Sequence, residues 1–157
     1  MPNFTGKSVL KLCVILSFLF SFSFLLNFFW EALHAVYLYQ RHDLVASEYV
    51  PMVLYLSTMD SLIVLSLYIG VSLMWWNFFW LKLFSKAQIV VFSTIGILVA
   101  ALIEYSSLFY YHRWLYKTEM PTVFGLGISP LLQLSVAGLV SVWLSKEILY
   151  GKGLIQE

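Results

Sequence analysis

Residues 87–111 read AQIVVFSTIGILVAALIEYSSLFYY, and Glu104 is the one formally charged residue among them. An apolar run of this length lacks the strict alternation of barrel strands, which need only about ten residues. It matches the roughly 20 residues that a membrane-crossing helix requires. Three further stretches have the same character, at about 9–39, 51–76 and 124–150. The reading is an all-α chain, a four-helix integral membrane bundle forming one membrane domain over 1–157.

The composition points the same way. Of the 157 residues, 61% are hydrophobic, 18% aromatic and only 11% charged. A soluble domain carries about 25% charged residues, so this chain lacks the polar groups to cover itself in water. A net charge of +1 and a single cysteine, Cys13, leave no basis for a nucleic-acid module or a disulfide scaffold. Lys7 and Lys11 ahead of an apolar run suggest a signal peptide, and Ser21-Phe22-Ser23 has the small-x-small look of a cleavage site. The run continues through Phe24, Leu25, Leu26 and Phe28, too long for a signal core, so a retained helix is expected.

Lysines and arginines set the expected orientation. Lys7, Lys11, Lys82, Lys86, Lys146 and Lys152 fall at one end of an antiparallel bundle, and Arg41, Arg113 and Lys117 at the other, with Asp43, Glu48 and Glu119. The positive-inside rule then places both termini in the cytoplasm. Trp75, Trp76 and Trp80 are expected as anchors at the inner interface, and Trp114, Tyr110, Tyr111 and Tyr116 at the outer one.

Ionisable residues inside membrane spans are functional candidates by default. Glu31, Asp60 and Glu104 each lie eight or nine residues from the outer end of their helices, and Gln133 eight residues into helix four from Gly125. At 1.5 Å per residue, all four fall roughly 12 to 14 Å below the outer surface, in one layer. Ser23, Asn27, Glu31 and His34 share one helix face, as do Gly96, Ala100, Glu104 and Ser107, and Ser129, Gln133, Ala137, Ser141 and Ser145. Three acids on one apolar level repel each other and lose hydration, so at least one is expected to hold a proton.

Several uses fit such a layer. Carboxylates beside aromatic rings suit a small lipophilic or cationic ligand. Glu31, His34, Asp60 and Glu104 are the candidates for acid–base chemistry, with a Glu as proton donor and His34 as acceptor. Asn27, Trp30, Tyr105 and Gln133 are candidate ligand contacts; Phe28, Phe29, Tyr37, Tyr55 and Phe109 share their depth. Glu31-Ala32-Leu33-His34 is also an E-x-x-H element, of which di-iron bundles use two, so a mononuclear site with Asp60 and Glu104 is a further possibility. Proton-coupled transport would need a homo-oligomer, and a non-catalytic accessory subunit is also open. Beyond helix three, Pro121 and Pro130 resist helix propagation, so the regular part of helix four is expected to start only near Ser129 or Pro130. The loop before it is expected over the outer mouth of the layer, with His112 and Arg113 placed to bind an anionic lipid headgroup or guide a ligand inward.

The layout resembles the EXPERA group, which includes the emopamil-binding sterol isomerases. The similar parts are Glu31 with His34, Met59-Asp60-Ser61, Glu104-Tyr105 and Gln133. The resemblance implies a compact helical bundle around an intramembrane pocket for a sterol-like or amine-bearing ligand. It also implies acidic residues that stabilise a carbocation or an ammonium group.

Overall fold

A computed structural model of the protein describes residues 6–40 and 44–155; Arg41 and Asp43 lie outside the described residues. Four helices dominate: α1 (Gly6–Tyr37), α2 (Ala46–Met74), α3 (Lys86–Tyr105) and α4 (Ile128–Lys146). The last turns of α3 and α4 widen into π-helical turns at Ser106–Tyr110 and Glu147–Gly151. All four helices are long and apolar enough to cross a membrane.

Helix starts follow local chemistry. Ser85 opens α3 with a reciprocal capping box: its hydroxyl accepts from the Gln88 amide at 3.1 Å, and the Gln88 side chain accepts from the Ser85 amide at 3.0 Å. α2 begins at Ala46, before the position expected from Pro51, because a proline near the first turn removes few helical hydrogen bonds. α4 begins at Ile128, not near Phe124. A two-stranded ladder of β1 (Thr122–Val123) and β2 (Leu126–Gly127) occupies the chain just before it.

α1 packs on both α2 and α4, and α3 packs mainly on α4, while α2 meets α3 and α4 more sparsely. α4 is the most buried of the four helices. Its contact with α3 is close because Gly96 has no side chain: a Cβ there would sit 2.6 Å from the Ser135 hydroxyl. Apolar residues fill the half of the bundle toward the Gly6, Met74, Lys86 and Lys146 ends of the helices, where Ile15, Leu19, Val64, Tyr68, Phe92 and Leu149 are buried. Trp80 belongs to this core and is no interfacial anchor. It is 1% exposed, stacks on Tyr68 with ring centres 5.0 Å apart, and donates its indole N–H to Ser72 at 3.1 Å. Trp75 and Trp76 are exposed, as interface residues would be.

Small polar side chains share the interior with this apolar core, and the perimeter is apolar. Phe29, Leu33, Leu98, Leu102 and Trp143 face outward, whereas Ser23, Asn27, Ser57, Ser61, Ser141 and Ser145 are fully buried. Ser57, Ser61 and Ser141 each donate to the carbonyl four residues earlier, which satisfies the hydroxyl within its own helix. The helices can then approach closely along these small, internally satisfied positions.

Candidate functional site

Near the helix ends formed by Tyr37, Ala46, Tyr105 and Ile128 lies a cavity of about 80 Å³. Its polar lining is Glu31 from α1, Asp60 from α2, Glu104 from α3 and Gln133 from α4; Met52, Leu56 and Ile103 form apolar walls. The level estimated from helix rise thus corresponds to one cavity, although α4 starts late.

The deep pole is built around one amide group. Gln133 Nε2 lies 2.6 Å from Glu31 Oε1, 2.8 Å from Asp60 Oδ2 and 3.2 Å from Asn27 Oδ1. A primary amide owns two hydrogens and here faces three acceptors. Glu31 and Asp60 also reach each other. Asn27 is fixed from below, its own amide donating to the Ser23 carbonyl at 2.9 Å and to the Ser23 hydroxyl at 3.1 Å. The two hydrogens of the Gln133 amide therefore cannot serve all three acceptors at once.

Glu104 forms the second pole and is surrounded by donors. Tyr39 donates to Oε1 at 3.3 Å, Trp114 donates to Oε2 at 3.4 Å, and the Tyr116 hydroxyl makes a short bond to Oε2. Tyr116 also accepts from the Gly127 amide at 2.9 Å, which ties Glu104 to the start of α4. Burial, with the nearby Glu104 adding to it, pushes the Tyr39 and Tyr116 phenols above the usual tyrosine range. Both remain protonated donors at neutral pH.

The segment carrying Trp114, which lines the cavity, and Tyr116 closes this end of the bundle. It is strapped to the end of α1: Gln40 N–H donates to Leu115 at 2.8 Å and Lys117 N–H to Leu38 at 2.9 Å. Lys117 Nζ caps the Val36 carbonyl at 2.7 Å, a favourable place for a cation at a helix C-terminus. Met120 is buried beneath the strap.

His34 points elsewhere. Its Nε2 pairs with Ser129 Oγ at 2.6 Å, while its Nδ1 and the Trp30 indole nitrogen are buried with no hydrogen-bond partner among the described residues. Glu31 and His34 both face α4, meeting Gln133 and Ser129 respectively, but His34 does not line the cavity. Trp30 packs edge-on against His34, 5.4 Å between ring centres. Tyr105, His112 and Arg113 are exposed; His112 Nδ1 lies 3.0 Å from the Leu108 carbonyl and Arg113 stacks over Tyr111. Phe29, Tyr37, Tyr55 and Phe109 also face outward, and Phe28 is half-buried. None of these aromatics lines the cavity, whose aromatic lining is Tyr39 and Trp114. Among the described residues no group of three or more His, Cys, Asp or Glu is arranged to hold a metal ion.

Sequence reasoning missed Tyr39, Trp114 and Tyr116 as partners of Glu104. Their only signal is aromatic clustering at helix ends, which interfacial anchors share. Comparisons with protein-family models, curated proteins and solved structures yielded no match to this chain.

Proposed function

We propose that the protein is a multi-pass membrane protein with both termini in the cytoplasm, whose outer-half cavity binds a small lipophilic ligand bearing a cationic group. The observation that carries this reading is the acceptor excess around Gln133 Nε2, where Glu31, Asp60 and Asn27 compete for two amide hydrogens. A ligand ammonium supplies the missing donors and charge, and Met52, Leu56 and Ile103 offer apolar contact to the rest of the molecule. Glu104 lies across the cavity as a third carboxyl, positioned by its three aromatic donors. The resemblance to the EXPERA group agrees with an amine-like or carbocation-like guest. It extends the reading to isomerase chemistry, in which Glu31 or Asp60 moves a proton at the bound substrate. Membrane lipid surrounds the bundle and is the source of such a substrate.

The test is binding of N,N-dimethyldodecylamine against dodecanol, measured on protein in a nonionic detergent. The amine should bind, the alcohol should bind at least about tenfold more weakly, and Asp60→Asn should erase the difference, about 1.4 kcal/mol. Equal binding of amine and alcohol by the wild-type chain would remove the cationic reading.

A further inference from the structure

A second cavity lies at the other end of the bundle, between the turn Trp80–Lys82 and the facing sides of α3 and α4. Its volume is about 100 Å³ and its lining is Trp80, Phe84, Ile89, Leu139 and Val142. No lining residue carries a charge or a carboxyl group. Apolar cavities of comparable size stay dry and take up apolar guests. Phe84, Ile89 and Leu139 are half-buried, so the cavity opens on the bundle's apolar perimeter rather than into the polar interior.

Cations surround it. Lys82 belongs to the turn that supplies Trp80, Lys86 opens α3 one turn before Ile89, and Lys146 follows Val142 by one turn on α4. Lys146 Nζ lies over the Phe84 ring at 5.1 Å, which places a positive charge directly on the cavity wall. Tyr150 on the π-helical end of α4 lies within the field of Lys82. The neighbouring acid, Glu147, turns along its own helix toward Gly151, where its Oε2 is 3.4 Å from the position of a Cβ. An apolar slot on a membrane-facing perimeter, rimmed by lysines, has the two-part chemistry of an anionic lipid: an acyl chain and a phosphate-bearing head.

We infer that this slot is a binding site for one anionic phospholipid, with part of an acyl chain between Phe84, Ile89 and Leu139 and its headgroup on Lys146, Lys86 and Lys82. The site is independent of the cavity around Gln133. Neither the retention of an amine nor its absence there bears on it.

Delipidated protein in nonionic detergent is titrated with phosphatidylglycerol or with phosphatidylcholine of the same chains, and bound lipid is counted by native mass spectrometry. One phosphatidylglycerol should bind preferentially. Lys146→Gln should reduce its affinity about fivefold, the contribution of one lysine near an anionic lipid surface, and leave phosphatidylcholine unchanged. Leu139→Phe, which fills the slot, should weaken both lipids, while Leu102→Phe on the exposed perimeter should affect neither. Lys146→Gln replaces a half-exposed side chain, so it keeps the test intact should Leu139→Phe fail to fold. Indifference to headgroup, a preference untouched by Lys146→Gln, or a second copy of the chain in place of lipid would each overturn the assignment.

Discussion

Tyr116 uses one hydroxyl twice, as donor to Glu104 and as acceptor from the Gly127 amide. Tyr116→Phe therefore leaves a buried carboxyl short of a donor and a helix-start amide short of an acceptor. Thermal unfolding should show a loss of about 2 kcal/mol, near the upper end for a removed hydrogen-bonding group. Glu104→Gln should weaken stability and ligand binding together, because this carboxyl is held by Tyr39, Trp114 and Tyr116 as well as facing the cavity. Asp60→Asn should weaken amine binding about tenfold or more while moving the melting temperature little, since its described partners are Gln133 and Glu31. The acids and Gln133 were legible in the sequence because a charged or amide side chain inside an apolar run is conspicuous and helix rise gives its depth. Tyr39 and Tyr116 were not, since their partnership depends on a strap that joins the end of α1 to Leu115 and Lys117, far along the chain. His34 was placed on the correct helix face, yet the partner that turns it toward Ser129 lies on α4, beyond the reach of local spacing.

Element contacts impose sharper steric limits. Gly96→Ala would press a Cβ to 2.6 Å from the Ser135 hydroxyl, itself bonded to the Ser93 carbonyl at 2.9 Å. The substitution should cost about 1 to 3 kcal/mol, and adding Ser135→Ala should restore much of it, a coupling readable in a double-mutant cycle. The ladder before α4 holds the opposite kind of opportunity. Phe124 and Gly125 form its two-residue turn with φ of 50° and 79°, and Phe124 is 99% exposed. A bulky residue in the left-handed region is disfavoured by roughly 1 kcal/mol, and asparagine suits this turn far better. Phe124→Asn should accordingly raise the unfolding temperature. Among the helices, the small-residue stripes on α3 and α4 were readable because every fourth position falls on one face. The early start of α2 was not, since Pro51 carries the signature of a helix beginning whether it stands at the first position or a turn later.

At the scale of the molecule, polarity is distributed unlike that of a soluble bundle: buried serines and amides share the interior with an apolar core, and phenylalanine, leucine and valine are also exposed along the perimeter. The arrangement of termini proposed above has a direct check. In a Cys13→Ser background, Lys152→Cys should react with a membrane-impermeant maleimide only from the cytoplasmic face, and Glu119→Cys only from the opposite face. Labelling of both from one side would overturn that orientation. The four-helix architecture could be read from composition and run length, because both report whole-segment burial in lipid. The arrangement of the helices around α4 could not, since it depends on which small residues meet across the interior.

Gln133, the amide shared by Glu31 and Asp60, lies on α4, downstream of both acids. During synthesis α1 and α2 therefore emerge before the amide that bridges their carboxyls, whereas the partners of Glu104, namely Tyr39, Trp114 and Tyr116, all precede α4. A ribosome-stalled product ending before residue 128 lacks that bridge, so this part of the site can assemble only once α4 has been made.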